Sequence, residues 1–229
     1  MRVGDDETTP GGVEDRPGFR GKLVASKQAW ARAGRLLTGI EVDPATNRLP
    51  PGQRMVENWP VLDLGIQPDV PRDAWELTVG GLVETPVTWS FAALLAEPQI
   101  EDISDIHCVT SWSRYDNRWQ GVSTRHLIGV VRPKPEAAHV ILHGYDGYVT
   151  NLRLADFAED DCLLAHSHDG APISREHGGP VRAIIPRYYL WKSAKWLKAI
   201  EFVAADHPGF WETRGYHNIA DPWLEQRYS

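Results

Sequence analysis

The stretch HCVTSWSRYDNRWQGV, residues 107–122, combines one cysteine with a dense run of polar and aromatic side chains. The apolar pattern of residues 102–110 predicts a buried strand that ends at Cys108. The residues that follow predict a polar loop carried by a rigid strand, which is a common place for a functional site. A free cysteine at a strand end is more often a small buried hydrophobic residue, so Cys108 alone leaves both interpretations open.

A second informative stretch is REHGGPVRAIIP, residues 175–186. Its Gly-Gly-Pro sequence, residues 178–180, allows a sharp turn or a close approach of the backbone to a ligand. His177 and Arg182 flank this turn, and a guanidinium group can bind a phosphate through two parallel hydrogen bonds. An ordinary loop with a surface arginine explains the same residues equally well.

The third stretch, RYYLWKSAKW at residues 187–196, is basic and aromatic. Lys192, Ser193 and Lys195 have the chemistry to bind an anion. Similar runs bind nucleic acid, but a single such run in an acidic protein is weak support for that function. Lysine side chains more often cover apolar surface with their stems while the ammonium groups stay in water.

The rest of the chain predicts short strands and few helices. Apolar or alternating runs predict strands over residues 75–83, 102–110, 138–144, 161–167, 181–186 and 196–204. Ser90 and Ser123 are expected to cap two short helices, FAALLAE and TRHLIGVV, and Pro133 stops the second. Because the strands outnumber the helices and do not alternate with them regularly, we expect an α+β fold, mixed and β-rich, with a substantial antiparallel component.

The N-terminal part predicts a different organisation. Residues 1–40 are expected to form a flexible tail with a short helix over residues 26–37, and one domain is expected over residues 41–229. The Pro-rich residues 48–71 predict an extended strap laid across that domain. The first residues lack a basic n-region, an apolar h-region and a twin-arginine pair, so we expect a cytoplasmic protein.

Composition limits the partners. The formal net charge of −7 argues against nucleic acid or an anionic membrane as the main partner. No apolar run approaches the roughly 20 residues that span a bilayer. The two cysteines are too few for a disulfide-built scaffold, and Cys162 is expected to be a buried structural thiol. Ten tryptophans are unusual and suit a site that encloses a bulky small molecule.

Several histidines raise the alternative of a zinc site. No HExxH motif and no CxxC pair is present, which makes a zinc hydrolase the weaker interpretation. The sequence also has no GxSxG, Walker or GxGxxG motif, and this disfavours serine hydrolases, nucleotide hydrolases and dinucleotide-binding domains.

Taken in order, the three stretches resemble the molybdopterin-binding domain of the sulfite-oxidase superfamily, above all its small bacterial sulfite-oxidase-like oxidoreductases. HCVTSWS with the downstream WQGV resembles the segment that supplies the metal ligand. HGGPVR, a proline, aromatic residues and then KSAKW resemble the segment that holds the cofactor. The resemblance covers about residues 50–229, and it implies a molybdopterin-binding oxidoreductase domain over residues 41–229.

The resemblance also implies roles for individual residues. Cys108 matches the thiolate ligand of molybdenum, and Tyr148 matches a tyrosine of the active site. His177 and Arg182 match residues that hold the pterin and its phosphate. The remaining cofactor contacts that the resemblance implies are His143, Asp146, Ser193, Ala194 and Lys195. His143 and Asp146 are alternatives for one contact, because the alignment around them is ambiguous.

Two departures from the family pattern bear on the substrate. The usual cofactor contacts of the N-terminal strap are not reproduced, which leaves Asn58 and Asp63 as weak candidates. Sulfite oxidases carry a Gly-Asn-Arg-Arg run after the cysteine, and VTSWSR stands there instead. The positive charge of that run is missing here, and either Arg114, as a catalytic residue, or Arg118 is a candidate to replace it. Sulfite is therefore not implied as the substrate.

The resemblance implies a molybdenum-molybdopterin (Mo-MPT) oxidoreductase that transfers an oxo group to or from a small S-oxo or N-oxo compound. No haem-binding segment is evident, so a separate electron carrier, a haem or flavin protein, is expected as the partner. The alternatives are a zinc-dependent hydrolase and a family member that binds ligands without redox activity.

Overall fold

The computed structural model describes Ala25 and residues 48–229. The predicted helix at residues 26–37 and the predicted domain start at residue 41 lie outside the described residues. The eleven strands of residues 48–229 are β1 Arg54–Met55, β2 Glu76–Gly81, β3 Val87–Ser90, β4 Gln99–Cys108, β5 Trp112–Ser123, β6 His139–Gly144, β7 Val149–Arg153, β8 Leu163–His168, β9 Ala171–Pro172, β10 Arg182–Ile184 and β11 Leu197–Val203. The α-helices there are α1 Phe91–Ala96, α2 Thr124–Val131 and α3 Leu154–Phe157.

The strands form two mixed sheets. In the first, which we call sheet A, the order is β1-β5-β8-β10, with β4 also paired to β5 and β9 to β8. In the second, sheet B, the order is β3-β2-β11-β6-β7. The pairs β1–β5 and β2–β11 are parallel, and the remaining pairs are antiparallel. The expected α+β, mixed and β-rich fold with a substantial antiparallel component is confirmed.

Local pattern accounts for most of these elements. All six predicted strands are present, with ends that differ by a few residues. The Ser90 hydroxyl accepts a hydrogen bond from the amide of Ala93, and the Ser123 hydroxyl accepts one from Arg125, so both predicted caps are confirmed. Helix α2 ends at Val131, before Pro133, with Arg132 in a left-handed conformation. Strands β3, β7 and β9 and helix α3 had no sequence prediction.

The predicted polar loop after Cys108 is wrong. Only three residues separate β4 from β5, and the chain then continues as a twelve-residue strand. The prediction failed because polar residues dominate the sequence, while buried Trp112, Trp119 and Val122 carry the inward face of the strand. In the WQGV motif a Cβ atom on Gly121 would lie 2.1 Å from the carbonyl oxygen of Leu164, so glycine lets β8 approach.

One hydrophobic cluster takes residues from both sheets. Leu77, Leu142 and Phe202 come from sheet B, and Val122 and Leu164 come from sheet A. The strap at residues 48–71 contains only β1 as regular structure. No helix in residues 48–229 has the length and apolar character needed to cross a bilayer.

Candidate functional site

A deep cleft lies where β4, the strap and the segment 190–196 meet. About 120 Å³ of it is open to the centre of a water-sized sphere, and all of its empty space, including the open mouth, amounts to about 820 Å³. Five of the ten tryptophans of the chain line it, as the composition predicted for a site that encloses a bulky ligand. The lining residues are Trp59, Pro60, Leu62, Asp63, Leu64, Cys108, Val109, Thr110, Trp112, Asp146, Tyr148, Arg182, Leu190, Trp191, Ser193, Lys195, Trp196, Trp211 and Tyr216.

Cys108 is the last residue of β4 and lines this cleft. Its side chain is almost buried, with 6% of the residue exposed, and its Sγ atom is 3.1 Å from the hydroxyl of Thr110. The side chain of Gln53 donates to the Cys108 carbonyl at 3.1 Å. Cys108 pairs with Trp112 across the β4–β5 ladder, so the two side chains lie on the same face of the sheet. This arrangement places the thiol in a cleft that seven aromatic side chains line.

Arg182 supplies a buried positive charge to the cleft. The residue is 2% exposed, and its guanidinium donates to the carbonyls of His177 at 2.8 Å, Ser193 at 3.0 Å and Ala183 at 3.4 Å. Within residues 48–229 it forms no ion pair, and burial lowers its pKa to about 9. A guanidinium has five N–H donors, so those outside the three carbonyl contacts remain for an anionic ligand.

His177 lies behind the cleft, against the strap. Its ring stacks on Trp59 with a centroid distance of 3.9 Å and an interplanar angle of 8°. Burial first, and then the charges of Arg182 and Lys195, lower its pKa to about 4. Its Nδ1 atom is buried without a hydrogen-bond partner in the structure. His177 therefore holds the strap through a neutral ring and keeps one nitrogen for a ligand.

The two glycines after His177 bring the next segment close. Gly178 has a φ of +101°, and a Cβ atom there would lie 2.8 Å from the Cβ of Lys195. The amide of Trp196 donates to the Gly178 carbonyl at 3.0 Å. Lys195 lines the cleft, and its ammonium donates to the Glu176 carbonyl at 2.7 Å. Glycine at this position lets two predicted cofactor-binding segments pack side by side.

Ser193 and Ala194 differ in their positions. Ser193 lines the cleft, and its hydroxyl accepts from the amide of Ile185 at 2.9 Å. Ala194 is fully buried and is not a lining residue. Its carbonyl accepts from the amide of Ala183 at 2.9 Å, which ties the segment to β10.

Asp146 and Tyr148 lie together on another wall of the cleft. A carboxylate oxygen of Asp146 accepts from the amide of Tyr148 at 3.0 Å. The hydroxyl of Tyr148 donates to the Trp191 carbonyl at 2.5 Å. Burial, with a smaller contribution from Glu212, raises the pKa of Tyr148 well above its ordinary value. Tyr148 therefore stays protonated, and its single hydroxyl proton is used in the hydrogen bond to the Trp191 carbonyl.

Two predicted cofactor contacts, His143 and Asn58, lie away from the cleft. His143 is on β6, 3.7 Å from the carboxylate of Glu201, and lines a separate shallow depression on sheet B. Of the two alternatives around residue 145, Asp146 is thus the one that the fold brings into the cleft. Asn58 is exposed and does not line the cleft, whereas Asp63 does.

Arg114 is directed to a neighbouring polar cluster. It forms an ion pair with Asp169 at 2.8 Å, donates to Glu57 O at 3.2 Å, and contacts His168 and Asn117. It is not a lining residue, and Arg118 is exposed. A catalytic role for Arg114 stays a prediction, and in this structure its contacts support the strap and the His168 ring.

Sequence reasoning missed most of the aromatic walls. Trp59, Trp112, Trp191, Trp211 and Tyr216 line the cleft but were not singled out. The high tryptophan content was the available signal. A count of tryptophans cannot show which rings face the cleft, because tryptophans buried in the core, such as Trp75, contribute to the same count.

The neutral histidines beside Trp59 make the stability of the protein depend on pH. Burial lowers the pKa of His168 and of His177 from about 6.5 to about 4. Between these values the unfolded chain binds more protons, so this stability is present above about pH 6.5 and is lost as pH falls. For cofactor-free protein, we expect the free energy of unfolding from urea denaturation to fall by roughly 1–3 kcal/mol between pH 7 and pH 5.

The variant His168→Gln should show a shallower pH dependence of stability than the wild-type protein. His207→Gln, which changes an exposed histidine, is the matched control and should keep the wild-type slope. Equal slopes for His168→Gln and the wild type would contradict this origin of the pH dependence.

The residues of the cleft fit the cofactor that the resemblance implies. Arg182 is a buried cation without a counter-ion in the described part of the chain, and His177 has a buried nitrogen without a partner. Both groups need a ligand such as a phosphate to offset the cost of their burial. The soft thiol of Cys108 lines the same cleft as Arg182 and suits molybdenum. Within residues 48–229, no group of three or more His, Cys, Asp or Glu side chains is arranged for a metal ion.

Known proteins are similar to this chain in sequence and in fold. A family model described as "Oxidoreductase molybdopterin binding domain" matches residues 64–211. The uncharacterized oxidoreductase YuiH of Bacillus subtilis is 47% identical over 188 residues, which cover 80% of this chain and 93% of that protein. The protein-methionine-sulfoxide reductase catalytic subunit MsrP of Gluconobacter oxydans is 30% identical over 155 residues, 60% of this chain and 49% of that protein.

Among solved structures, the sulfane dehydrogenase SoxCD of Paracoccus pantotrophus matches with a TM-score of 0.58 and 18% identity. The match covers 65% of this chain and 42% of that chain, and at this identity it shows a shared fold. The chain spans about half the length of MsrP but nearly all of YuiH.

These matches support an enzyme with a molybdenum-molybdopterin cofactor and give no support to a zinc hydrolase. The chain belongs to the family of oxidoreductases with a molybdopterin-binding domain, within the sulfite-oxidase superfamily.

Proposed function

We propose that this enzyme transfers an oxo group to or from a small S-oxo or N-oxo compound, with sulfoxide reduction as the first reaction to test. The observation that carries the proposal is that the thiol of Cys108 lines the same cleft as Arg182, Lys195 and seven aromatic side chains. The aromatic walls favour a substrate with apolar groups next to its oxo group. The name of MsrP, a methionine-sulfoxide reductase subunit, supports a sulfoxide.

In this proposal one residue binds the metal and four others hold the pterin. Cys108 would bind molybdenum as a thiolate. His177, Arg182, Ser193 and Lys195 would hold the pterin phosphate through charge-assisted and backbone hydrogen bonds. When bound, the molybdenum cofactor supplies two-electron redox chemistry and oxo transfer.

Tyr148 and Asp146 have roles beside the substrate in the proposal. Tyr148 would place its ring beside the substrate while its hydroxyl donates its one proton to the Trp191 carbonyl, and Asp146 would fix the turn that carries Tyr148. The hydrophobic rings of Trp112 and Trp191 would exclude water from the part of the cleft that holds the substrate.

We also propose that electrons are exchanged with a separate carrier, a haem or flavin protein. The proposed location of the enzyme is the cytoplasm.

The test begins with protein purified from a host that makes molybdopterin. We expect molybdenum by metal analysis and pterin by fluorescence after oxidation of the cofactor. We then expect reduced viologen dye to be oxidised on addition of aliphatic or aryl sulfoxides, with N-oxides and, in the reverse direction, sulfite with ferricyanide as parallel assays. Zinc without molybdenum, or molybdenum-loaded protein that turns over none of these compounds, would refute the proposal.

A further inference from the structure

A buried ion pair lies directly behind the wall of the cleft. The ammonium group of Lys192 and a carboxylate oxygen of Glu212 are 2.6 Å apart, and their side chains are 1% and 2% exposed. Taking two charges out of water is costly, and an apolar pair of similar volume is often at least as stable. Stability alone therefore gives little reason to place this pair in the core.

Glu212 contacts the cleft through Trp191. One carboxylate oxygen of Glu212 accepts from Lys192, from the indole N–H of Trp191 at 3.0 Å, and from the hydroxyl of Thr150 at 3.1 Å. The carbonyl of the same Trp191 accepts the hydroxyl of Tyr148 at 2.5 Å. Glu212 thus orients the ring of Trp191, and the backbone of Trp191 in turn fixes the hydroxyl of Tyr148.

Lys192 anchors the pair to the strand that follows Tyr148. Its ammonium donates to the backbone carbonyl of Asn151 at 3.0 Å and to the side-chain oxygen of Asn151 at 2.8 Å. Thr150 and Asn151 both lie on β7, which begins one residue after Tyr148. The hydrogen bonds of the pair therefore tie together β7, the segment that carries Trp191 and the turn that begins at Glu212.

We propose that Lys192 and Glu212 form a positioning pair that holds Trp191 and Tyr148 in the geometry needed for turnover. The pair itself touches neither substrate nor cofactor in this assignment. The inference rests on the proposed function only in giving Tyr148 a place beside the substrate.

The decisive variant replaces the pair by apolar residues of similar size, Lys192→Met with Glu212→Leu. Each single change leaves one buried charge unpaired and should lower the thermal unfolding temperature. The double change removes both charges, so the unfolding temperature and the molybdenum content per protein should return close to the wild-type values. If the Lys192–Glu212 pair had a purely structural role, the activity of the double variant would recover together with its unfolding temperature and its molybdenum content.

The positioning role predicts a different result for the double variant. At equal molybdenum content, we expect kcat for sulfoxide reduction to fall about 10-fold with KM changed less than about threefold, since geometry rather than binding is lost. In a Tyr148→Phe background the same double change should lower kcat by less than about twofold, because the two sites act through one hydroxyl. Wild-type kcat in the double variant, or equal losses in both backgrounds, would overturn the proposal.

Two further measurements cover other outcomes. If the double variant does not fold, Glu212→Gln keeps the shape and removes the charge, and wild-type kcat in that variant would likewise overturn the proposal. If the wild type turns over no sulfoxide, the electron paramagnetic resonance spectrum of partly reduced, molybdenum-loaded protein still tests the pair. A spectrum altered by the double change supports positioning, and an unaltered spectrum rejects it, whatever the substrate.

Discussion

Replacement of Cys108 by serine is expected to abolish turnover. Cys108 lines the cleft, and its thiol is the soft ligand that the family assignment and the cleft offer to molybdenum. Changes to residues that only support a metal ligand already cost about 10–100-fold in affinity or activity. For the ligand itself we expect kcat at saturating substrate to fall by at least about 100-fold.

The control for this substitution is Cys162→Ala. Cys162 is fully buried away from the cleft, its Sγ lies 3.4 Å from the Asp156 carbonyl, and burial raises its pKa. This variant should keep its molybdenum and its kcat, although it loses some stability because a buried thiol is removed. Activity near the wild-type level in Cys108→Ser, measured at equal pterin content, would show that the thiolate is dispensable.

Substitution of Arg182 is expected to have the second largest effect, on cofactor retention. Arg182→Met removes the buried positive charge of the cleft and the donors that reach three backbone carbonyls. We expect molybdenum and pterin per protein after gel filtration to fall about 10–100-fold, as for other residues that hold a metal cofactor. Removal of the guanidinium relieves the cost of burying a charge without a counter-ion in the described residues but leaves three carbonyls without this donor, so we expect a cofactor-free protein that folds with reduced stability.

Two variants sharpen this second experiment. Arg182→Lys keeps the charge but loses the planar set of donors, so an intermediate cofactor content is expected. Arg187→Met is the matched control, since Arg187 is paired with Glu159 and Asp161 instead of facing the cleft. Wild-type cofactor content in Arg182→Met would contradict the assignment of this residue to the phosphate.

Several features of the site were predictable because they depend on neighbours in the sequence. The apolar run before Cys108 predicts a strand that ends there, and the serine caps at Ser90 and Ser123 are local hydrogen bonds. The turn after His177 needs the conformational freedom of glycine, as the positive φ of Gly178 shows. Such features follow from side-chain spacing and from backbone sterics within a few residues.

The failures have a different origin. Residues 112–123 form a strand although most of their side chains are polar, because pairing with β4 and β8 satisfies the backbone and buries every large apolar ring. The catalytic role of Arg114 stays a prediction, but its contacts with Asp169 and the Glu57 carbonyl could not be foreseen from its position in the sequence. Secondary-structure propensity and sequence position are properties of one segment of the chain. The pairing of this strand and the contacts of Arg114 depend instead on partners in other segments.

The sequence by itself determined the fold class, the family, the thiol of Cys108 and the basic segment that contains Arg182 and Lys195. Only the tertiary structure decided that Asp146 rather than His143 reaches the cleft, that Trp59 stacks on His177, and that the buried Lys192–Glu212 pair supports Trp191. The physical reason is that these contacts join residues far apart in the chain. Their geometry depends on how the two sheets and the strap pack together, and no local pattern of side chains encodes that packing.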